Sequence, residues 1–293
     1  MTRPVRVAAV AAHFGRDVER CVAKAEGIVV EARSRGVDLL VLPHAVLGGY
    51  LGDLRSPGPA DLPPALPEDA GPVRRIAEVA RGLTVCFGYT EAVAGGRCST
   101  ALCVGDGRVL GRHRKVHLTA GEEGSYAAGG SFTAFDTPAG RLGMLIDFDK
   151  TFPESARTLA LDGAQVLCCP SAWPASVTDR AARLANDRQS RLFDLYDGAR
   201  AAENQVVLVS ANQTGVLGGL RFLGQAKVVG PGGDVLARTG GKGGMAVVDV
   251  DVAAEVARAR RTLHHLRERR PGAYRGLLDE LGAASPGRAG AVR

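Results

Sequence analysis

Lysine is scarce in this chain. Five of its 293 residues are lysine (Lys24, Lys115, Lys150, Lys227 and Lys242), so the formal charge of +6 rests on arginine. With abundant alanine and glycine, that skew follows the composition of a GC-rich genome and argues only weakly for a nucleic-acid partner. The nearest thing to a basic patch is Arg258, Arg260, Arg261, Arg267, Arg269 and Arg270. It comes with no nucleic-acid-binding motif and reads as a solvated helical face or a subunit contact. No apolar run approaches the roughly 18–20 residues that a membrane-spanning helix needs. The first residues, Met1-Thr2-Arg3-Pro4-Val5, lead straight into a strand-like run without the apolar block of a signal peptide, which predicts a cytoplasmic protein. Six cysteines (Cys21, Cys86, Cys98, Cys103, Cys168 and Cys169) show neither zinc-ligand spacing nor a compact disulfide framework. Reduced, structural thiols are expected. Gly230-Pro231-Gly232-Gly233 lacks the strand–helix context and the lysine of a phosphate loop, so it reads as a hairpin turn. No cofactor is implied.

Apolar residues make up 45% of the chain and charged residues 23%, ordinary values for a protein that buries a sizeable core. Strand-like runs at Val5–Val10, Val37–His44, Leu83–Tyr89, Gln165–Cys169, Val206–Val209 and Met245–Val250 alternate with helical patterns. The helices are expected at Asp17–Arg35, Val73–Arg81, Pro153–Leu161, about Asp179 to Asn204, and near Val252–Glu268. Hairpins are expected at Ser99–Arg112 around Gly105-Asp106-Gly107, and at Ala226–Ala237. Gly48–Pro72, rich in Gly, Pro and Asp, reads as a long loop over the strand ends. This order predicts one layered α/β domain over residues 1–274, with a flexible tail at 275–293. Its strand ends at His44, Lys115, Asp147 and Pro170 converge on one rim, where open α/β sheets bind ligands.

The densest signal is Leu142-Gly143-Met144-Leu145-Ile146-Asp147-Phe148-Asp149-Lys150-Thr151-Phe152-Pro153-Glu154. A buried strand ends at a carboxylate, and Pro153 opens a helix a few residues on. Such a turn displays one side chain at the mouth of a sheet. That side chain is Asp147. The surrounding blocks resemble those of the carbon–nitrogen hydrolase family, the nitrilase superfamily, from about Val5 to Tyr274. They are Gly36–Pro43, Arg114-Lys115-Val116-His117-Leu118, Gly121-Glu122-Glu123, Asp149–Glu154, Pro170-Ser171-Ala172-Trp173-Pro174, Ala201–Asn204 with Ala211-Asn212, and Arg269-Arg270-Pro271 with Tyr274. The resemblance implies a four-layer αββα sandwich that forms a homodimer or a higher homo-oligomer. It also implies a glutamate base, an oxyanion-stabilising lysine and an attacking cysteine. Lys115 and Glu122 match that pattern, whereas His44 stands in the place of the glutamate and Asp147 in that of the cysteine.

A carboxylate is about 4–5 pKa units less basic than a thiolate. If Asp147 attacked an amide, the intermediate would expel the carboxylate rather than the amine. Turnover by the family's own route is therefore ranked last. Two readings stay open. In one, the pocket is repurposed for thiol-free chemistry on a small polar C–N compound, with His44 as a general base near neutral pH, Lys115 polarising a carbonyl and Asp147 orienting a water. In the other, the chain is a non-catalytic binding or assembly partner. Phe148, Tyr126 and Trp173 are expected to wall the small-molecule pocket. Cys168 or Cys169 could act as a displaced nucleophile, although core packing accounts for both. A metal on His44, Glu122 and Asp147 is opposed by Lys115 in the same pocket. His117 is read as a structural hydrogen-bonding residue.

Overall fold

The first strand, β1 (Val5–Ala12), is buried on both faces, and the layers follow from that. Val7, Ala9 and Ala11 point into a core between two sheets, while Ala8 and Val10 pack against helices. In the computed structural model, residues 3–240, 242–274 and 276 are described.

β1 pairs in parallel with β2 (Leu39–Val41), which continues to β3 (Thr84–Val93), β4 (Gly96–Gly105) and β5 (Arg108–Arg114). On its other side β1 meets the late strand β14 (Gly244–Val250) in antiparallel register. The second sheet runs from β6 (Phe135–Thr137) through β7 (Gly140–Met144), β8 (Val166–Ser171) and β9 (Val207–Gln213). It ends in β12 (Lys227–Val229) and β13 (Val235–Arg238), and a two-stranded hairpin of β10 (Val216–Leu217) and β11 (Leu220–Arg221) stands apart. The two sheets join where Ala11 and Ala12 pair with Asn212 and Gln213.

Helices α1 (Val18–Ser34) and α2 (Gly71–Val79) cover the outer face of the first sheet. Helices α3 (Pro153–Leu161) and α4 (Arg188–Asn204) cover the outer face of the second. The result is the αββα sandwich, followed by the short helix α5 (Val252–Ala259). Cys86, Cys103 and Cys168 belong to the core between the sheets, and all six cysteines are buried and unpaired. No helix among the described residues is long and apolar enough to cross a membrane. The expected flexible tail falls, except for residue 276, outside the described residues.

Two helices are shorter than periodicity predicts. The pattern from about Asp179 to Asn204 suggests one long helix, yet α4 begins at Arg188. Asp187 explains the difference. Its buried carboxylate accepts hydrogen bonds from Gln189 N, Ser176 N and Oγ, and Ala181 N, which pins residues 176–187 as a loop and caps α4. Likewise, α5 stops at Ala259 rather than near Glu268. The Gln205 amide donates to the Ala259 and Leu263 carbonyls and accepts from His265 N, so that segment bonds to a side chain instead of to a continuing helix.

Asp187→Ala therefore removes a cap and strands buried donors. It is expected to cost about 2–3 kcal/mol in urea unfolding, with faster proteolysis within residues 176–187. Asp187→Asn, which keeps one acceptor oxygen, should lose about half as much. Equal stability of wild type and Asp187→Ala would show that the loop is held otherwise.

Candidate active site

β1, β2, β3, β5, β7, β8 and β9 all point the same way, so their carboxyl ends share one rim. Lys115 directly follows β5, and Asp147 and His44 stand three residues beyond β7 and β2. The chain turns sharply at Asp147, whose φ of 42° lies in the left-handed region. Aspartate tolerates this better than most residues, because its short polar side chain can bond nearby backbone. Here Oδ1 accepts the Ala172 N–H at the end of β8.

Lys115 is wholly buried. Its ammonium donates to both oxygens of Glu122, at 2.8 and 2.7 Å, and lies 3.6 Å from Asp147 Oδ2. Glu122 also accepts from the Tyr50 hydroxyl at 2.7 Å, and from Thr119 N and Oγ1 at 2.9 and 3.1 Å. Burial pulls the Lys115 pKa down, but the carboxylates of Glu122 and Asp147 outweigh it and hold the ammonium charged. Asp147 is the opposite case. Burial pushes its carboxyl up to about 6, with Glu122 adding to that effect and Lys115 opposing it. Its Oδ2 has no hydrogen-bond partner.

A cavity of about 220 Å³ opens over this end, lined by Lys115, Asp147, Phe148, Trp173, Val177 and Gln189, among others. Phe148 and Trp173 are among the residues that line it. Tyr126 does not line the cavity. It is buried in an apolar cluster with the lining residues Tyr50 and Ala172, and its hydroxyl is held by Thr90 Oγ1 on β3 at 3.3 Å. Glu122 also lies behind the wall, bonded to the lining residues Lys115, Tyr50 and Thr119.

His44 is buried beside the site but turned away from the cavity. Its Nε2 is hydrogen-bonded to Ser99 Oγ at 2.8 Å, and its Nδ1 has no partner. The ring packs so closely on the first sheet that a Cβ at Gly88 would fall 2.0 Å from Nδ1. Burial, with the nearby Lys115 charge, lowers its pKa to about 3. The imidazole is therefore neutral and weakly basic, which does not suit the expected general base near neutral pH. Cys168 and Cys169 are wholly buried and absent from the lining, and burial pushes the Cys169 thiol up to about 12.

The sequence also conceals a supporting layer. Asp149 accepts from Val116 N, His117 N and Ile146 N, and bonds the rings of His113 and His117 at 2.8 and 3.0 Å. One carboxylate thereby ties the segment after Lys115 to the turn before Asp147. Burial alone would raise its pKa, but the two histidines hold it well below the usual carboxylate range. Next to it, Lys150 donates to Asp197 at 2.6 Å, and Lys227 bonds the other Asp197 oxygen at 2.8 Å. The Lys150 ammonium lies 3.2 Å from the Phe193 ring centre and 5.1 Å from that of Trp173. The Arg200 guanidinium holds the Lys150 and Thr151 carbonyls, so α4 grips the turn from behind. Lysine scarcity is the signal that could have led here, since Lys115, Lys150 and Lys227 are all fully buried.

The raised Asp147 pKa has a thermodynamic consequence with a definite sign. Unfolded, the group titrates near 3.8; folded, near 6. As pH rises through that window the unfolded chain loses its proton first, so stability falls, and above it the buried charge costs on the order of 3 kcal/mol. Asp147→Asn should melt higher than wild type at pH 7.5, by roughly 5 °C, with the gain shrinking towards pH 4. A variant that melts no higher at pH 7.5 would show that the charge is better compensated than the burial implies.

The carbon–nitrogen hydrolase pattern matches residues 6–261. A nitrilase of Pyrococcus abyssi is 32% identical over 73% of this chain and 76% of its own length. The chloroplastic omega-amidase of Arabidopsis thaliana is 29% identical over 90% of this chain and 71% of its own. A solved mutant of the amidase from Nesterenkonia sp. AN1, with the acetamide moiety of fluoroacetamide covalently added at the active site cysteine, superposes with a TM-score of 0.75. It is 25% identical, over 94% of this chain and 97% of that one. Relatives named for nitrile and amide hydrolysis overturn the expectation of a pocket repurposed away from the family's hydrolysis, and equally that of a non-catalytic binding or assembly partner. They point to the reaction class that the sequence ranked last. On its matched length and its fold, the chain belongs to the carbon–nitrogen hydrolase family.

Proposed function

We propose that the protein hydrolyses the C–N bond of a small amide or nitrile. The observation that carries this reading is the fully buried Lys115–Glu122 pair, with Asp147 3.6 Å from the ammonium, at the closed end of a cavity. The relatives' names support the same class of reaction.

Lys115 is the electrophilic group. A carbonyl oxygen beside its ammonium would gain negative charge as the carbon is attacked, and a charged donor in a dry site stabilises that charge strongly. Glu122 is the positioning residue that keeps Lys115 charged and aimed. Asp147 handles the proton. Above pH 6 it is ionised and can take a proton from a water attacking the carbonyl carbon, then pass it to the nitrogen as the C–N bond breaks. An amide plus water gives a carboxylic acid plus ammonia, and both protons are accounted for. Exposed Leu161 on α3 and Leu195 on α4 support assembly as a homodimer or higher homo-oligomer through that outer face.

The test is ammonia release from a panel of small amides, carbamoyl compounds and nitriles. Wild type should release ammonia from at least one of them, with a rate that rises as pH passes through about 6, where Asp147 ionises. Lys115→Met should lose at least about 100-fold, the usual effect of removing an oxyanion donor. No release from any compound, or an unimpaired Lys115→Met, would overturn the reading.

A further inference from the structure

We infer that the pocket selects substrates whose acyl part is small and uncharged, and that Trp173, Ser176 and Gln189 set this choice; the inference rests on the hydrolytic reading above. A volume of about 220 Å³ is below the roughly 300–1,000 Å³ of sites for drug-sized ligands, so the acyl part is short. Away from Lys115 and Asp147, the cavity walls among the described residues carry no charged side chain.

Apart from the uncharged Gln189 amide nitrogen, the polar groups on and behind those walls are largely committed. Gln189 Oε1 accepts the Trp173 indole N–H at 2.9 Å. Ser176 Oγ donates to Asp187 at 3.1 Å, and Thr119 Oγ1 donates to Glu122. Charges one layer back are committed as well. Asp187 is spent on backbone N–H groups and Ser176, and Lys150, beneath the Trp173 ring, is bonded to Asp197. On the neighbouring loops, Arg55 and Arg180 are exposed and turn to the Val177, Ser176 and Gly219 carbonyls. A carboxylate or ammonium on the acyl chain would therefore leave water and find no counter-charge. An aliphatic chain meets Phe148, Trp173 and Val177 instead.

Three compounds of matched length separate the cases: pentanamide (neutral), succinamate (anionic) and 4-aminobutanamide (cationic). With the wild-type protein, kcat/KM for ammonia release from pentanamide should exceed that for each charged compound by at least 100-fold. Binding to the same protein, followed by calorimetry, should keep that order. Pentanamide binding most tightly without ammonia release would uphold the substrate class and sink the hydrolytic reading. Equal or tighter binding of either charged compound, or no binding of any of the three, would overturn the inference whatever the turnover. Gln189→Glu, which places a carboxylate on the wall, should improve 4-aminobutanamide relative to pentanamide by at least tenfold. An unchanged ratio would show that this wall does not set the choice.

Discussion

Everything at the rim depends on keeping one ammonium charged where there is no water. Lys115 is 0% exposed, and an isolated cation at such a position would lose its proton or destabilise the fold by several kcal/mol. Glu122 removes the difficulty by meeting it with both oxygens, but Glu122 is itself buried and needs every acceptor position filled. Tyr50 from a distant segment and Thr119 from the same loop fill them. The geometry is tight enough that a Cβ at the neighbouring Gly121 would lie 2.2 Å from the Leu54 carbonyl oxygen. The loops on both sides of the cavity are therefore shaped by the needs of one charge pair. Breaking such a pair from one side typically costs about 3–5 kcal/mol, because the surviving charge is stranded.

The same logic repeats one layer deeper and explains why lysine survives in an arginine-rich chain. Lys150 and Lys227 share Asp197 and face the Phe193 ring from 3.2 and 4.1 Å. A compact ammonium can sit on a ring face and still reach a carboxylate, whereas a planar five-donor guanidinium would need more partners than this core supplies. Where charge meets solvent, the chain mostly uses arginine, as in the Arg75 pairs with Glu19 and Glu26, and only Lys24 and Lys242 among its lysines are exposed. Buried lysines thus mark positions where a point charge is required, and three of them lie at or behind the cavity.

The layered fold was legible because it rests on local patterns. Runs such as Val166–Cys169 and the Pro153 helix start carry their own signals, and α3 spans the very residues that periodicity assigns to it. The errors occurred where a single polar side chain overrides periodicity. Asp187 claims the backbone that would otherwise begin α4 earlier, and Gln205 claims the carbonyls that would extend α5. The site was legible in outline, through Lys115, Glu122, Asp147, Phe148 and Trp173, because motif blocks and strand ends indicate which residues reach the rim. Orientation was not legible. Nothing in the order of residues says that His44 turns to Ser99, that Tyr126 falls behind the wall, or that Asp149 gathers three backbone N–H groups. Those outcomes depend on which buried polar atoms are left to be satisfied once the sheets have packed. The reaction class was misjudged for a different reason: the chemistry of one displayed side chain was weighed more heavily than the relatedness of the whole chain.

Asp147 itself is better understood through the charge of the site than through nucleophilicity. Lys115, Glu122 and an ionised Asp147 sum to one negative charge, and it is burial, with Glu122 adding to it against the pull of Lys115, that holds the Asp147 carboxyl up near 6 rather than in the usual carboxylate range. An oxyanion forming beside Lys115 would add a second negative charge within reach of the same ammonium. In the proposed reaction, Asp147 takes up a proton in the step that creates the oxyanion, so the total stays at one. The burial that makes Asp147 reluctant to ionise thus favours that proton transfer, and the field of Lys115 shifts from the aspartate to the substrate oxygen as the reaction advances. A neutral acyl chain leaves this balance undisturbed. A charged one would alter it before any bond had changed.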